Sequence, residues 1–226
     1  MTNKHQHSAL EKEFELERLI LFSDAVFAIA ITLLIIDIKF PELPEKKFEG
    51  NTMEVLRPTL LSFLAFAISF FFIGRSWSNH LRLFRLLKKY DQGLINRNLL
   101  FLFFIVTFPF SAAGIAGHVR GGFVLPIYIY IINLACVGIA HFILCHYILR
   151  KKPWLTGEGE VAEKKFAYFS SQYIAIAMGV MTVVIVAVGL IFPDRDIYIG
   201  YSCILMATLL GVAKRLAKKH QPVDRS

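Results

Sequence analysis

From Leu19 to Ile38 the chain runs for about 20 residues that are apolar apart from Ser23, Asp24, Thr32 and Asp37, the length a helix needs to cross the hydrocarbon core of a bilayer. Asp24 lies inside that run, one turn from its start. A carboxylate costs roughly 2.5 to 3.5 kcal/mol at mid-span and somewhat less near an interface. Hydrogen-bond donors from elsewhere in the chain therefore have to satisfy it, because lipid supplies none. The composition agrees with a membrane environment: 56% of the 226 residues are hydrophobic and 21 are phenylalanine, too apolar for an ordinary soluble domain. The expected class is an all-α polytopic protein embedded in the lipid bilayer.

Apolar runs mark six transmembrane helices in one domain over 1–226, at about 19–38, 58–79, 94–117, 123–149, 166–192 and 197–212. Their continuity, without alternation, excludes a transmembrane barrel. The first run continues past the small residues Ala28 to Ala30, so it reads as a retained span and not as a cleaved leader. Pro109 predicts a kink in the third span, and Ser111 to Gly117 is a stretch of small residues that permits close helix approach. Cys136, Cys145 and Cys203 are spread through apolar runs with neither a disulfide nor a zinc spacing. The net charge of +8 is distributed between the runs, which reflects topology and not a nucleic-acid surface. Of the 25 lysines and arginines, only Lys39, Lys46, Lys47, Arg57, Arg120 and Arg195 fall outside the N-terminal segment, the second and fourth linkers, the C-terminal tail and their flanks. Both termini are accordingly expected in the cytoplasm.

This topology carries Arg18, Ser23 and Asp24 from the first span, Trp77, Asn79 and His80 from the second, and Asn96 and Asn98 from the third to one depth. Indole, imidazole, amide and hydroxyl groups can donate to the Asp24 carboxylate. Such a cluster reads either as polar glue between three helices or as a pathway for ions or protons. Ile29, Leu33 and Ile36 stand at i, i+4 and i+7, one stripe of a helix. Taken alone, an aliphatic stripe is a packing face.

Arg18-x-x-x-Phe22-Ser23-Asp24 and the following Ala25 to Thr32 resemble the signature of bacterial members of the transmembrane protein 175 family of potassium channels. The resemblance extends through Trp77-Ser78-Asn79-His80 and the asparagine-containing start of the third span. It implies a homotetramer with the first span lining a central pore, no enzymatic activity, no cofactor, and K+ as the permeant ion near Ile29 and Thr32 in a bacterial plasma membrane. The family's hydrophobic constriction falls on Ile29, with Leu33 and Ile36 forming layers above it, and a hydroxyl bearing on selectivity falls on Thr32. A hydrophobic constriction gates by dewetting, and potassium gives up water more readily than sodium. Thr32 can equally back-bond to the Ala28 carbonyl. Asp37 stands where it can draw cations to an outer mouth or simply face water.

Three other chemistries have the right residue types. Ser23, Asp24 and His80 suggest a hydrolase, but Ser23 and Asp24 are adjacent on a helix and diverge by about 100°. His141, Cys145 and His146 suggest a metal site, but the two histidines are five apart and no carboxylate motif accompanies them. A proton-coupled transporter using Asp24 and His80 is the principal alternative to a channel. Against it, the sequence has no inverted repeat and no pair of broken helices.

Overall fold

The structure is a computed structural model that describes residues 2–36, 38, 52–118, 125–157, 161–191, 211 and 215–216. The described chain is built of helices. α1 (Thr2–Leu33) starts well before the apolar run and stops short of Ile38, its expected end. Beyond Leu33 the Ile36 and Ile38 amides donate to the Leu33 and Ile35 carbonyls, each at 3.2 Å, so the chain tightens into i to i+3 turns. β-branched residues, which are weaker helix formers, crowd that segment at Ile35, Ile36 and Ile38. Asp37 and the expected sixth span, apart from single positions within or beside it, lie outside the described residues.

α2 (Thr52–Arg85) has 34 residues and is therefore about 50 Å long, more than a bilayer core requires. Its last turn carries Arg82 and Arg85, where cations complement the helix dipole. Asp91 then opens α3 (Gln92–Val106) by accepting the Leu94 amide at 2.8 Å. The expected third span is two helices: α3 ends before Thr107, and α4 (Phe108–His118) follows at once. Pro109 explains the break, because it has no N–H to give the Ile105 carbonyl yet fits the first turn of a new helix.

α5 (Leu125–His146) passes into a π turn over Tyr147–Lys151, closed by the Lys152 amide on the Tyr147 carbonyl at 2.9 Å. A short 3-10 turn (Pro153–Leu155) leads to α6 (Val161–Ile191). α5 is the hub, packed against α3, α4 and α6, while α1 leans on α2 and α3. Phe27, Ile73, Phe101, Phe108, Leu144 and Met181 fill the core. Gly138 lets α6 come close, since a Cβ there would stand 2.7 Å from the Met178 sulfur. Gly114, in the small-residue stretch, faces Pro126 of α5 at a distance that would admit a Cβ in ordinary contact.

The two basic linkers meet. Lys88 and Lys89 amides donate to the Leu155 carbonyl at 2.8 and 3.1 Å, and the Gly157 amide donates to Leu86 at 3.3 Å. The α2–α3 and α5–α6 connections thus share one end of the bundle. Among the described residues, three segments are long and apolar enough to cross a membrane: Gln92–Gly114, Leu125–Lys151 and Val161–Ile191.

Candidate functional site

α1 packs through Leu16, Ser23, Phe27, Ala30 and Leu34, all buried. Their spacing of 7, 4, 3 and 4 residues is one face of a helix, and it fixes which polar groups turn inward. Ser23 is fully buried, its hydroxyl donating to the Leu19 carbonyl and accepting from Asn98 Nδ2, both at 2.9 Å. With its amide nitrogen committed to Ser23, Asn98 offers Oδ1 to His80 Nε2 at 2.9 Å. An oxygen can only accept, so Nε2 of His80 carries the proton. The imidazole stacks on Phe84, centroids 3.9 Å apart, and lies 5.6 Å from Phe27 and 5.7 Å from Phe101. One hydrogen-bonded chain therefore ties α1, α3 and α2 together inside an aromatic cage.

Asp24 belongs to a separate contact. Trp77 Nε1 donates to its Oδ1 at 2.8 Å, at a partly exposed position between α1 and α2. Ser23 and Asp24, adjacent on α1, point to different partner helices, so the single expected cluster resolves into two. Among the described residues no hydrogen bond joins Asp24 or Ser23 to His80, and a nucleophile–base pair is absent there. Asn79, Asn96, Arg18 and Phe22 stand apart from the chain. Asn79 lines a cavity of about 300 Å³ between α2, α5 and α6. Asn96 accepts from Gln92 at 2.8 Å. Arg18 and Phe22 are exposed.

Replacing Trp77 with phenylalanine keeps a ring but removes the donor to Asp24. A bond to a charged group is worth about 1.5 to 3 kcal/mol, with the lower end expected at a partly exposed site. The expected outcome is a lower unfolding temperature in detergent, with Asp24→Asn, which retains an acceptor, less affected than Asp24→Ala. Equal melting of wild type and Trp77→Phe would show that the bond contributes nothing.

The aliphatic stripe lies on the far side of α1. Ile29 is 56% exposed, Leu33 42% and Ile36 67%, so each keeps a large surface that the described helices leave open. Thr32, also exposed, donates to the Ala28 and Ile29 carbonyls at 3.1 and 2.9 Å, the back-bonded geometry. Sequence reasoning missed a second polar knot at the α3–α4 break. Thr107 donates to Asn133 Oδ1 at 3.0 Å, and Asn133 Nδ2 donates to Ser111 at 3.2 Å. Asn133 alone in the apolar run of α5 was the available signal, because a buried amide in a span requires partners. Among the described residues no group of three His, Cys, Asp or Glu side chains is placed to hold a metal, and Cys136 and Cys145 are free thiols. Cys203 lies outside the described residues.

The family model described as endosomal/lysosomal potassium channel TMEM175 matches residues 18–109, the part of the chain that holds both α1 contacts. A potassium channel of Chryseobacterium sp. (strain P1-3) is 32% identical over 204 residues, which span 89% of this chain and 95% of that protein. The chain belongs to the TMEM175 family. TMEM175 is a family of ion channels and not of enzymes. Among solved structures, a lysosomal potassium-selective channel TMEM175 homolog from Chamaesiphon minutus aligns with a TM-score of 0.57 and 26% identity, over 91% of this chain and 96% of that one. A variant of the potassium channel MtTMEM175 bound to a nanobody fusion aligns at 0.59 over 89% of this chain and 93% of that one. At 20% identity it speaks for the fold alone. In Mus musculus, the family member named an endosomal/lysosomal proton channel is 36% identical over 110 residues, 46% of this chain and 21% of its own length. The chain is an integral membrane protein of this family's all-helical fold.

Proposed function

We propose that the chain is a potassium-preferring cation channel, a homotetramer of six-span subunits with α1 lining a central pore and both termini in the cytoplasm. The observation that carries this reading is the exposed stripe Ile29 and Leu33 on α1, continued by Ile36 in the turn beyond it, away from the face that packs on α2 and α3. Four copies around an axis would stack it into rings of branched aliphatic side chains. Arg18, Phe22, Ala25 and Ile29 continue the same 3- and 4-residue spacing on exposed positions, a pattern suited to helices meeting at an axis. In this reading Ile29 is the constriction, Leu33 and Ile36 are further layers, Thr32 bears on selectivity, Asp37 draws cations at the outer mouth, and K+ passes near Ile29 and Thr32. The chain has no Thr-Val-Gly-Tyr-Gly filter, so the preference for potassium rests on dehydration and is modest. The shared end of the two basic linkers supports placing them on one side of the membrane.

The test is current through the purified protein in planar bilayers, with potassium on one side and sodium on the other. Reversal shifted toward the potassium equilibrium potential is expected. If a tetramer is present and carries no current, the channel reading falls and proton-coupled uptake through Asp24 and His80 becomes the alternative to measure. Proton permeation is a second reading, favoured by the mouse relative's being named a proton channel. A pH gradient in symmetric potassium would move the reversal potential if it holds.

A further inference from the structure

We propose that two clefts meeting at Tyr168 form a site for the headgroup of an anionic phospholipid. One cleft, about 390 Å³, is lined by Arg150, Lys164 and Lys165 with Leu149, Tyr168 and Phe169. The other, about 350 Å³, is lined by Arg97, Lys151 and His146 with Phe142, Ile143 and Tyr168. Five cations thus line two clefts that share one tyrosine, and no carboxylate is among the described residues lining either cleft. Asp91 stands behind the second cleft and not in its lining: its Oδ2 accepts from Tyr147 and its Oδ1 from the Leu94 amide, both at 2.8 Å. Glu163 belongs to the cavity between α2, α5 and α6.

Three of the five cations are held in place. The Arg97 guanidinium lies 3.9 Å over the Tyr147 ring and donates to the Gly93 carbonyl at 2.8 Å. Arg150 lies 4.7 Å over Tyr168, whose hydroxyl is 3.3 Å from His146 Nδ1. Lys164 reaches the Gly157 carbonyl at 2.6 Å. A guanidinium stacked through its face keeps its N–H edge for oxygen acceptors and matches phosphate geometry. The π turn over Tyr147–Lys151 sends Arg150 to one cleft and Lys151 to the other.

Depth and apolar lining favour a lipid over free phosphate. The apolar segments Leu125–Lys151 and Val161–Ile191 end and begin at these clefts, so the cations stand at a membrane boundary. One turn deeper on α5 from Ile143, the exposed Ile139 continues the apolar wall, where an acyl chain would run. Basic pockets between helices at such a boundary are built for anionic headgroups. The proposal does not depend on the channel reading.

Native mass spectrometry of the delipidated protein, offered equal dioleoylphosphatidylglycerol and dioleoylphosphatidylcholine, tests it. Preferential retention of the phosphatidylglycerol is expected, falling about fivefold for each cation removed in Arg150→Gln with Lys165→Gln. Lys88→Gln with Lys89→Gln, which removes cations from the neighbouring linker, should leave retention unchanged. Equal retention of the two lipids, no effect of the cleft variant, or an equal effect of the linker variant would overturn the site. Displacement by inorganic phosphate at the lipid's own concentration would overturn its membrane source. If the double variant fails to elute as a folded species, the exposed Lys165→Gln alone carries the comparison.

Discussion

Asn98→Leu should be the most destabilising single substitution in the α1 region. Leucine has the same branched heavy-atom skeleton as asparagine, but it leaves His80 Nε2–H without an acceptor in a cage of Phe27, Phe84 and Phe101, and it removes the donor to Ser23. A buried group left unpaired costs about 1 to 3 kcal/mol. For a chain of this size a loss of about 2 kcal/mol lowers the unfolding temperature by roughly 4 to 8 °C, measurable by fluorescence-detected size exclusion after heating in detergent. Asn98→Leu combined with His80→Phe should recover most of the loss, because replacing both partners with apolar groups is nearly neutral. A double variant that melts with or below Asn98→Leu would show that His80 has a partner other than Asn98 that matters more.

Ile29→Asn should raise conductance and lower the preference for potassium over sodium. Four amides in place of four branched aliphatic side chains would wet the constriction, so that an ion keeps more of its water as it passes. A tenfold rise in conductance corresponds to a barrier lowered by about 1.4 kcal/mol, a modest change for a ring of four polar groups. The reversal potential under potassium–sodium conditions should move toward zero in the same variant. Ile29 is 56% exposed against the described helices, so the substitution should cost subunit stability little. Wild-type conductance and selectivity in an assembled Ile29→Asn protein would remove Ile29 from the pathway.

The membrane class and the need to satisfy Asp24 were legible because both are one-dimensional properties: a run length, and a charge within it. Trp77, His80 and Asn98 were also legible as candidates, since polar groups in apolar runs need partners wherever the chain folds. Their pairing was not. Adjacent residues on a helix diverge by about 100°, and whether Asp24 or Ser23 faces α3 depends on how α1 is rotated, which packing at Phe27, Ala30 and Leu34 decides. The α3–α4 break was half legible: Pro109 marks it, but the knot of Thr107, Ser111 and Asn133 that spans it requires α5 to lie alongside.

By itself the sequence determined that this chain lives in a bilayer as helices, which residues are too polar to be left facing lipid, and, through the order and spacing of Arg18, Phe22, Ser23 and Asp24, its kinship. Only the tertiary structure decided which donor meets which acceptor, which side of α1 is covered, and that Arg97, Arg150, Lys151, Lys164 and Lys165 line two clefts sharing Tyr168. The physical reason is the same in each case. Hydropathy and charge are properties of a residue, whereas hydrogen bonds and burial belong to pairs of elements whose mutual rotation no single segment specifies.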